Sequence, residues 1–297
     1  MTPLTFYIVD VFAEEKYAGN QLAVFRGAAA LSPEVMQRIA REMNYSETTF
    51  IMSETPRVRS DGFDVRIFTP EEEIPFAGHP TLGTAHILRS EIIPEPVEKI
   101  ILNLKIGQIP VSFDKAGSHE GLYWMKQIEP TWGQQLQPEV IAPVLGLTPA
   151  DLDPRFPVEE VSTGLPFILV PLQNLEALKR AKVVREKYFE LIQTTWPKGV
   201  LIFCPQARSA HNQMSVRVFV EYYGIPEDPA TGSGNGCLAG YLVRHNYLGQ
   251  PNVDIRVEQG YEIGRPSLIF LRAEEKEGHI HVLVGGQALT IAKGEFI

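Results

Sequence analysis

The sequence predicts an α+β fold of two similar lobes, each with strands around a buried helix. The first observation is an internal repeat, in which Val65–Phe68 (VRIF) followed by Gly78 recurs as Val216–Phe219 (VRVF) followed by Gly232. The copies are offset by 151 residues at the first motif and 154 at the second, close to half of the 297-residue chain. The second observation is that segments rich in β-branched and aromatic residues outnumber segments with helical periodicity.

The strand-like segments are spread over both halves of the chain. In the first half they are 4–12, 21–25, 48–52, 63–69, 98–104, 108–113 and 121–125. In the second half they are 158–162, 167–171, 200–203, 214–221, 253–257, 267–272, 279–284 and 288–292. We expect mainly antiparallel sheets.

A few segments predict helices outside the repeat. Ser32 and Pro33 are typical of a helix start, with serine as the N-cap and proline at the first helical position. Apolar residues then recur at helical spacing as far as Met43. Helix patterns also cover 138–145 and 184–196.

Segments 80–89 and 233–245 are the paired helices of the repeat. Both are almost free of charged residues, and a helix that is apolar on all sides is typically buried. We therefore expect each helix to run through the middle of its lobe. His79 and Ser233 are the predicted N-caps.

The length predicts two domains, since roughly 150 residues per domain is typical. We place the first lobe at 1–127 and the second at 128–297, and we allow the last strands to contribute to the first lobe. No low-complexity linker marks the boundary.

Composition excludes several classes of partner. The net charge is −9, which argues against binding to nucleic acid or to an anionic membrane surface. No apolar run approaches the ~18 residues that span a bilayer. Acidic residues precede the first lysine, unlike a signal peptide, and the two cysteines form no CxxC motif. These features predict a cytoplasmic protein with free thiols.

The paired motifs also predict a ligand class. A helix N-terminus carries N–H groups without intrahelical partners and a partial positive charge. Two lobes imply a cleft, and helix starts near Gly78 and Gly232 would point into it. We expect a small anionic metabolite to bind there.

Glu47 is the candidate catalytic residue. It lies between a predicted helix and an apolar strand, flanked by Tyr45 and Phe50. A partly desolvated carboxylate at that position suits general acid–base chemistry near neutral pH. The alternative interpretation is a surface residue in a turn.

Three further side chains could hold a substrate. His79 follows Gly78, and Asp228 precedes Ser233 by five residues, so both lie at the start of a paired helix. Capping alone would explain His79 and Ser233, whereas Asp228 is harder to explain structurally.

Cysteine and metal chemistry are not expected. Cys237 lies inside the second paired helix, where an apolar environment makes a thiol inert. The histidines show no convincing metal-ligand spacing, and no phosphate-binding loop is present. We therefore expect activity without metal or organic cofactor.

Several motifs together resemble those of the phenazine-biosynthesis isomerase family (PhzF-like), over nearly the whole chain. They are Val11-Phe12, Gly19-Asn20, Ala23-Val24-Phe25, Ser46-Glu47-Thr48, Arg66–Pro70, Phe76–Gly83, Glu227–Ser233, Gln259-Gly260 and Gly264–Ser267. Gln21 departs from the proline that is usual in the family after the asparagine.

The resemblance implies the diaminopimelate-epimerase-like fold, with a barrel-like sheet around a central helix in each of two lobes. It also implies cofactor-independent isomerase chemistry in the interlobe cleft and a homodimer. The family's acid/base falls on Glu47, and its substrate-positioning residues fall on His79, Asp228 and Ser233. Backbone N–H groups near Gly78 and Gly232 would hold a carboxylate.

Two other functions remain open at this point. Relatives of the same fold that racemise amino acids place one cysteine before each central helix, whereas Ala77 and the Asp228 segment hold those places here. An amino-acid epimerase or racemase is thus the first alternative. A non-catalytic metabolite-binding protein is the second, since a fold does not fix a function.

Overall fold

Residues 4–53, 55, 62–114 and 121–297 are described by a computed structural model, and strands supply most of their regular structure. The structure is therefore mixed α/β, with long strands and few helices. The chain divides into two units. Unit 1 contains residues 1–126 and 285–297, and unit 2 contains residues 127–284.

Unit 1 contains nine named strands and two α-helices in its described part. The strands are β1 (Leu4–Val11), β2 (Asn20–Phe25), β3 (Glu47–Ile51), β4 (Phe63–Phe68), β5 (Glu73–Ile74), β6 (Lys99–Leu104), β7 (Gly107–Phe113), β8 (Tyr123–Lys126) and, at the end of the chain, β18 (Ala288–Phe296). The helices are α1 (Pro33–Met43) and α2 (Gly78–Ile87), with a short 3₁₀ turn at Ala28–Ala30 and a π-helical turn at Leu88–Ile92.

Unit 2 follows with its own strands and helices. The strands are β9 (Thr131–Leu136), β10 (Val158–Ser162), β11 (Pro166–Pro171), β12 (Gly199–Cys204), β13 (Met214–Val220), β14 (Ile225–Asp228), β15 (Asn252–Gln259), β16 (Ser267–Lys276) and β17 (His279–Gly286), of which the last two residues of β17 belong to unit 1. The helices are α3 (Pro138–Ile141), α4 (Leu175–Arg180), α5 (Arg185–Leu191) and α6 (Gly232–Arg244). Short 3₁₀ turns cover Ala142–Leu145, Pro149–Asp151, Glu221–Tyr223 and Tyr261–Ile263.

The two units repeat one order of strand pairing. In unit 1, β1–β2 is antiparallel, β2–β3 parallel, β3–β4 antiparallel and β4–β6 parallel. In unit 2, β10–β11 is antiparallel, β11–β12 parallel, β12–β13 antiparallel and β13–β15 parallel. The sequence motifs Val65–Phe68 and Val216–Phe219 occupy the corresponding strands, β4 and β13.

The last strand belongs to unit 1. The sequence analysis placed residues 285–297 in the second lobe while allowing them to contribute to the first. In the structure β18 pairs antiparallel with β1 over its length, from Leu4 opposite Phe296 to Val11 opposite Ala288. A chain terminus that pairs with the opposite terminus cannot be assigned from local pattern, because pairing depends on long-range register.

Helix α1 begins as the sequence predicts. The Ser32 side chain accepts a hydrogen bond from the Val35 N–H, and Pro33 occupies the first helical position. The helix buries Met36 and Ala40 against an aromatic cluster of Phe25, Phe50 and Phe68. The rings of Phe25 and Phe50 are stacked at 5.2 Å, and Phe50 meets Phe68 edge-on at 5.5 Å.

Helices α2 and α6 are buried along nearly their whole length. Helix α2 contacts strands β1, β2, β3, β6, β7, β8 and β18 of unit 1. At Gly83 a Cβ atom would lie 2.6 Å from a methyl group of Leu22 and 2.8 Å from one of Val11. Glycine is therefore required there by the close approach of β1 and β2, which offsets its poor helix propensity.

Both predicted N-caps of these helices are wrong by two residues. Helix α2 begins at Gly78 with Ala77 as its N-cap, so His79 lies within the first turn. Helix α6 begins at Gly232 with Thr231 as its N-cap, so Ser233 is the second helical residue. At α2 the prediction failed because proline is tolerated throughout the first turn, where backbone N–H groups have no intrahelical partner, so Pro80 did not have to be the first helical residue.

The helix predicted at 138–145 is shorter than expected. Helix α3 ends at Ile141, and a 3₁₀ turn continues to Leu145. Pro143 within the segment cannot donate an intrahelical hydrogen bond, which accounts for the tighter turn. The helix predicted at 184–196 likewise ends at Leu191, as α5.

Among the described residues, both units have a bidentate arginine–glutamate pair at the same place in the sheet. Arg66 of β4 donates to Glu73 of β5, with both distances 2.8 Å. Arg217 of β13 donates to Glu227 of β14 at 2.9 and 2.8 Å. Bidentate pairs fix orientation as well as charge, and these pairs hold the short strand that leads to each buried helix.

Candidate functional site

Glu47 is the first residue of β3, directly after the turn that ends α1. Asn44 ends α1 in the left-handed conformation, with φ of 52°, which asparagine tolerates better than most residues. Parallel pairing with β2 sets Glu47 opposite Leu22. The Glu47 side chain is 16% exposed. It is therefore a largely buried carboxylate, in contrast to the alternative of a surface turn.

The structure brings His79 to Glu47. The His79 Nε2 atom lies 3.3 Å from Glu47 Oε2, although the two atoms lack the alignment of a hydrogen bond. A hydrogen bond between the hydroxyls of Thr84 in α2 and Thr49 in β3, at 2.8 Å, ties the two elements together. This hydrogen bond helps to fix α2, which carries His79, relative to β3, which carries Glu47.

His79 is uncharged at neutral pH. Burial lowers the pKa of His79 to about 3, against the opposing effect of a hydrogen bond to the backbone of Gln21. The contact between His79 and Glu47 is therefore a contact of a neutral imidazole with a carboxyl group, not an ion pair. A neutral ring can position a substrate or exchange a proton without neutralising the carboxylate.

The start of α2 offers backbone donors beside this pair. In the part of the chain that the structure describes, the N–H groups of Gly78 and His79 have no hydrogen-bond partner. These are the groups that an α-helix leaves unpaired in its first turn, and they suit an anionic oxygen.

The unit 2 candidates lie around the start of α6. Asp228 is the last residue of β14 and is buried, and its side chain accepts a hydrogen bond from the Thr231 hydroxyl. Gln259 in turn donates to the Asp228 carbonyl at 2.8 Å and accepts from the Thr231 N–H at 3.2 Å. The Asp228 carboxylate is therefore held in place by the N-cap residue of the helix.

Gly232 and Ser233 form the first turn of α6 and are both buried. The Ser233 carbonyl accepts a hydrogen bond from the Thr163 hydroxyl at 3.3 Å. Among the described residues, no partner is present for the N–H groups of Gly232, Ser233 and Gly234. This turn repeats the donor arrangement of α2, with Ser233 at the helical position that His79 holds in α2.

Cys237 is a packed residue. It is fully buried, and its Sγ atom lies 3.6 Å from the Thr163 hydroxyl. Burial raises the pKa of the Cys237 thiol to about 12, so almost no reactive thiolate is present at neutral pH.

We expect thiol alkylation to leave turnover unchanged, because Cys237 is buried and protonated and burial also raises the pKa of the Cys204 thiol, to about 11. Activity is measured before and after iodoacetamide treatment of the native protein. Loss of turnover in step with labelling of Cys237, followed by mass spectrometry, would contradict this assignment.

One buried and one half-buried histidine, His79 and His86, give unit 1 a predictable pH dependence. Burial lowers the pKa of His79 to about 3 and that of His86 to about 4, and the nearby charge of Arg89 adds to the shift of His86. In the unfolded chain both pKa values return to ~6.5. The unfolded state then binds more protons below that pH, so stability is full above ~6.5 and falls with decreasing pH.

We expect the loss to approach about 1.4 kcal/mol per pH unit for each histidine between pH 6 and 5. Urea unfolding at pH 7, 6 and 5 measures it. His79→Gln is expected to remove one histidine's share of the slope, whereas His211→Gln, at an exposed histidine, keeps the full slope. Equal slopes for His79→Gln and the wild type would show that His79 is not the titrating group.

A cavity in unit 1 has a volume of about 340 Å³, and its lining does not include Glu47 or His79. Its lining includes the Arg66–Glu73 pair, Asn103 and Lys105. Within residues 4–53, 55, 62–114 and 121–297, no three His, Cys, Asp or Glu side chains group closely enough to hold a metal ion. None of the described helices is long and apolar enough to cross a bilayer.

Several residues around the candidate site were missed from the sequence. Thr231, Gln259 and Asn235 form a buried hydrogen-bonded network behind Asp228, with 2.8 Å between Asn235 Nδ2 and Gln259 Oε1. Gln259 entered the sequence analysis only as part of a family motif. Nothing in local sequence distinguishes a glutamine that reaches another element from one on the surface.

Comparison with known proteins assigns the family. The model of the phenazine biosynthesis-like proteins, PhzC-PhzF, matches residues 9–294. A trans-2,3-dihydro-3-hydroxyanthranilate isomerase of Pseudomonas aeruginosa is 34% identical over 293 residues, which cover 97% of this chain and 98% of the relative. The chain belongs to the phenazine biosynthesis-like family, and it is an isomerase.

Solved structures of similar fold support the family assignment. A PhzF-family protein of Bacillus anthracis superposes with a TM-score of 0.90 and 26% sequence identity, with 100% of each chain covered. A hydroxyproline epimerase of Agrobacterium vitis superposes with a TM-score of 0.65 at 11% identity, over 99% of this chain and 92% of the epimerase. The second comparison shows a shared fold alone.

Proposed function

We propose that this isomerase moves a proton on a small carboxylate-bearing metabolite by general acid–base catalysis, without a cofactor, with Glu47 as the acid/base. The observation that carries the proposal is the contact at 3.3 Å between the largely buried Glu47 carboxyl and the neutral His79 ring. Relatives named as isomerases of trans-2,3-dihydro-3-hydroxyanthranilate support the choice of substrate class.

In this proposal Glu47 removes a proton from a carbon of the substrate and returns it to another carbon on the same face. His79, next to Glu47, orients the substrate and can relay a proton, because its neutral ring has both a donor and an acceptor nitrogen. The proposal keeps three expectations from the sequence. They are a cleft between the lobes, a barrel-like sheet around a central helix in each lobe, and a homodimer.

The remaining candidates would bind polar and charged groups of the substrate. Backbone N–H groups of Gly78, Gly232 and Ser233 would donate to the substrate carboxylate and to negative charge that develops when the proton leaves. Asp228, oriented by Thr231, would accept a hydrogen bond from a hydroxyl or amino group of the substrate. These are interactions that fix a substrate relative to the base.

A two-thiol racemase is disfavoured by the residues before the buried helices. The N-caps of α2 and α6 are Ala77 and Thr231, and Cys237 lies inside α6. A mechanism that removes a proton with one thiol and returns it with another has no pair of thiols at those positions.

The test is proton exchange in heavy water. The purified enzyme is incubated with trans-2,3-dihydro-3-hydroxyanthranilate and, separately, with proline and trans-4-hydroxyproline, and products are followed by NMR. Isomerisation of an unsaturated acid with deuterium at the carbon that receives the proton supports the proposal. Exchange at the α-carbon of an amino acid would favour a racemase, and binding without exchange would favour a metabolite-binding protein.

We also expect turnover to be independent of metal ions, because the proposed chemistry needs only a carboxylate and hydrogen-bond donors. Dialysis against EDTA, with activity measured before and after, checks this. Loss of turnover that is restored by added zinc, and not by buffer alone, would refute metal-independent catalysis.

A further inference from the structure

Gln127, the first residue of unit 2, has a buried carboxamide whose polar atoms are unpaired. Gln127 is 5% exposed, and neither its Oε1 nor its Nε2 atom has a hydrogen-bond partner in the described part of the chain. Its backbone is anchored, because the Gln127 N–H donates to the Val282 carbonyl at 2.9 Å. Buried amides without partners are rare in folded proteins and need an explanation.

The Gln127 side chain lies against the first turns of α6. A Cβ atom on Gly236 would lie 3.0 Å from Gln127 Oε1 and 3.0 Å from the Thr163 hydroxyl. The absence of a side chain at Gly236 therefore makes room for the carboxamide. Thr163 also donates to the Ser233 carbonyl, so Gln127 is adjacent to the turn that carries Ser233.

A second unpaired acceptor lies in the same turns. Asn235 is fully buried, and its Oδ1 atom has no partner among the described residues, whereas its Nδ2 atom donates to Gln259 and to the Thr231 carbonyl. The start of α6 thus combines free backbone donors with unpaired side-chain groups that can both donate and accept.

Another buried glutamine of unit 2 has a hydrogen-bonded carboxamide, as buried amides usually do. Gln259 is 1% exposed, and its carboxamide makes hydrogen bonds to the Asp228 carbonyl, the Thr231 N–H and hydroxyl, and Asn235. The two glutamines have the same chemistry and nearly equal burial, so the difference in pairing requires a cause specific to Gln127.

We propose that Gln127 is a substrate-binding residue of this isomerase, whose Nε2 group donates to a substrate oxygen while Oε1 accepts from a hydroxyl or amino group of the same substrate. The inference rests on the proposed function. A carboxylate alone could satisfy only Nε2, because it has no proton to donate at neutral pH. Gln127 therefore selects acids that carry a neighbouring donor.

The first test needs no ligand. Gln127→Met replaces the unpaired amide with an apolar side chain of similar length, so we expect the melting temperature of the free enzyme to stay the same or to rise. Gln259→Met, the matched variant, removes four hydrogen bonds and is expected to melt lower. A fall for Gln127→Met as large as that for Gln259→Met would overturn the inference, because Gln127 would then be a structural residue.

The second test measures selectivity by calorimetry with two stable probes. The probes are 3-hydroxyanthranilate, which has donors next to its carboxylate, and benzoate, which has none. We expect the wild type to prefer 3-hydroxyanthranilate, and Gln127→Met to lose about tenfold of that preference. Gln173→Met, at a side chain bonded to Ala150 and Leu152, is expected to keep it.

The outcomes separate this inference from the proposed function. An unchanged preference in Gln127→Met, or failure of both probes to bind the wild type, overturns the role of Gln127. Loss of the preference in Gln127→Met, together with no proton exchange by the wild type on any acid tested, supports the role of Gln127 and overturns the proposed catalysis. Proton exchange by the wild type, together with an unchanged KM in Gln127→Met, supports the proposed catalysis and overturns the role of Gln127.

Discussion

Glu47→Gln is expected to lower kcat for proton transfer by on the order of 10²–10⁴-fold, because the amide keeps the size of the side chain and removes the basic oxygen. Binding of substrate is expected to change little, since the backbone donors at the helix starts remain. The measurement is the rate of deuterium incorporation at saturating substrate, with affinity measured separately by calorimetry.

Two variants serve as controls for Glu47→Gln. Glu42→Gln makes the same substitution at an exposed position of α1 and is expected to keep wild-type kcat. Ser233→Ala is expected to reduce turnover far less than Glu47→Gln. Its stability is expected to change little, because Thr231, not Ser233, is the N-cap of α6. Near wild-type turnover by Glu47→Gln would remove the central residue of the mechanism and favour a metabolite-binding protein.

Arg217→Met is expected to lower the free energy of unfolding by about 3–5 kcal/mol, because it leaves the Glu227 carboxylate buried without its partner. Both side chains of the pair are 8% exposed. The Arg217 Nη1 group also donates to the carbonyls of Leu178 and Ala181 at the end of α4, at 3.0 and 2.7 Å. The variant removes these hydrogen bonds together with the ion pair.

Arg66→Met is the matched control, since Arg66 occupies the corresponding strand of unit 1. The Arg66 and Glu73 side chains are 27% and 25% exposed, so water can solvate the remaining carboxylate, and we expect a loss of about 1 kcal/mol. Urea unfolding followed by circular dichroism compares the two. Equal losses would show that burial does not govern the strength of these pairs.

Replacing both partners separates the penalty of an unpaired charge from the value of the ion pair. Arg217→Met combined with Glu227→Leu is expected to recover part of the stability that Arg217→Met loses, because no buried carboxylate remains without a partner. A double variant no more stable than the single one would assign the loss to the hydrogen bonds that Arg217 makes to α4.

The repeat and the candidate residues of each half could be read from sequence for a physical reason. Periodic apolar patterns and short motifs depend on neighbours along the chain, which is why the start of α1 at Ser32 was predicted correctly. Glu47 and His79 were singled out separately, from a turn and from a helix start. Their contact at 3.3 Å required the pairing of β2 with β3 and the packing of α2.

The sequence by itself determined the family, the isomerase class, most of the local elements and the identity of the candidate acid/base. Tertiary structure alone decided which residues begin α2 and α6, that β18 pairs with β1 in unit 1, that Arg217 reaches the end of α4, and that the Gln127 carboxamide lies against Gly236 without a hydrogen-bond partner among the described residues. The physical reason is the same in each case. Burial and hydrogen-bond partners come from residues far apart in the chain, and propensity and periodicity report only on near neighbours.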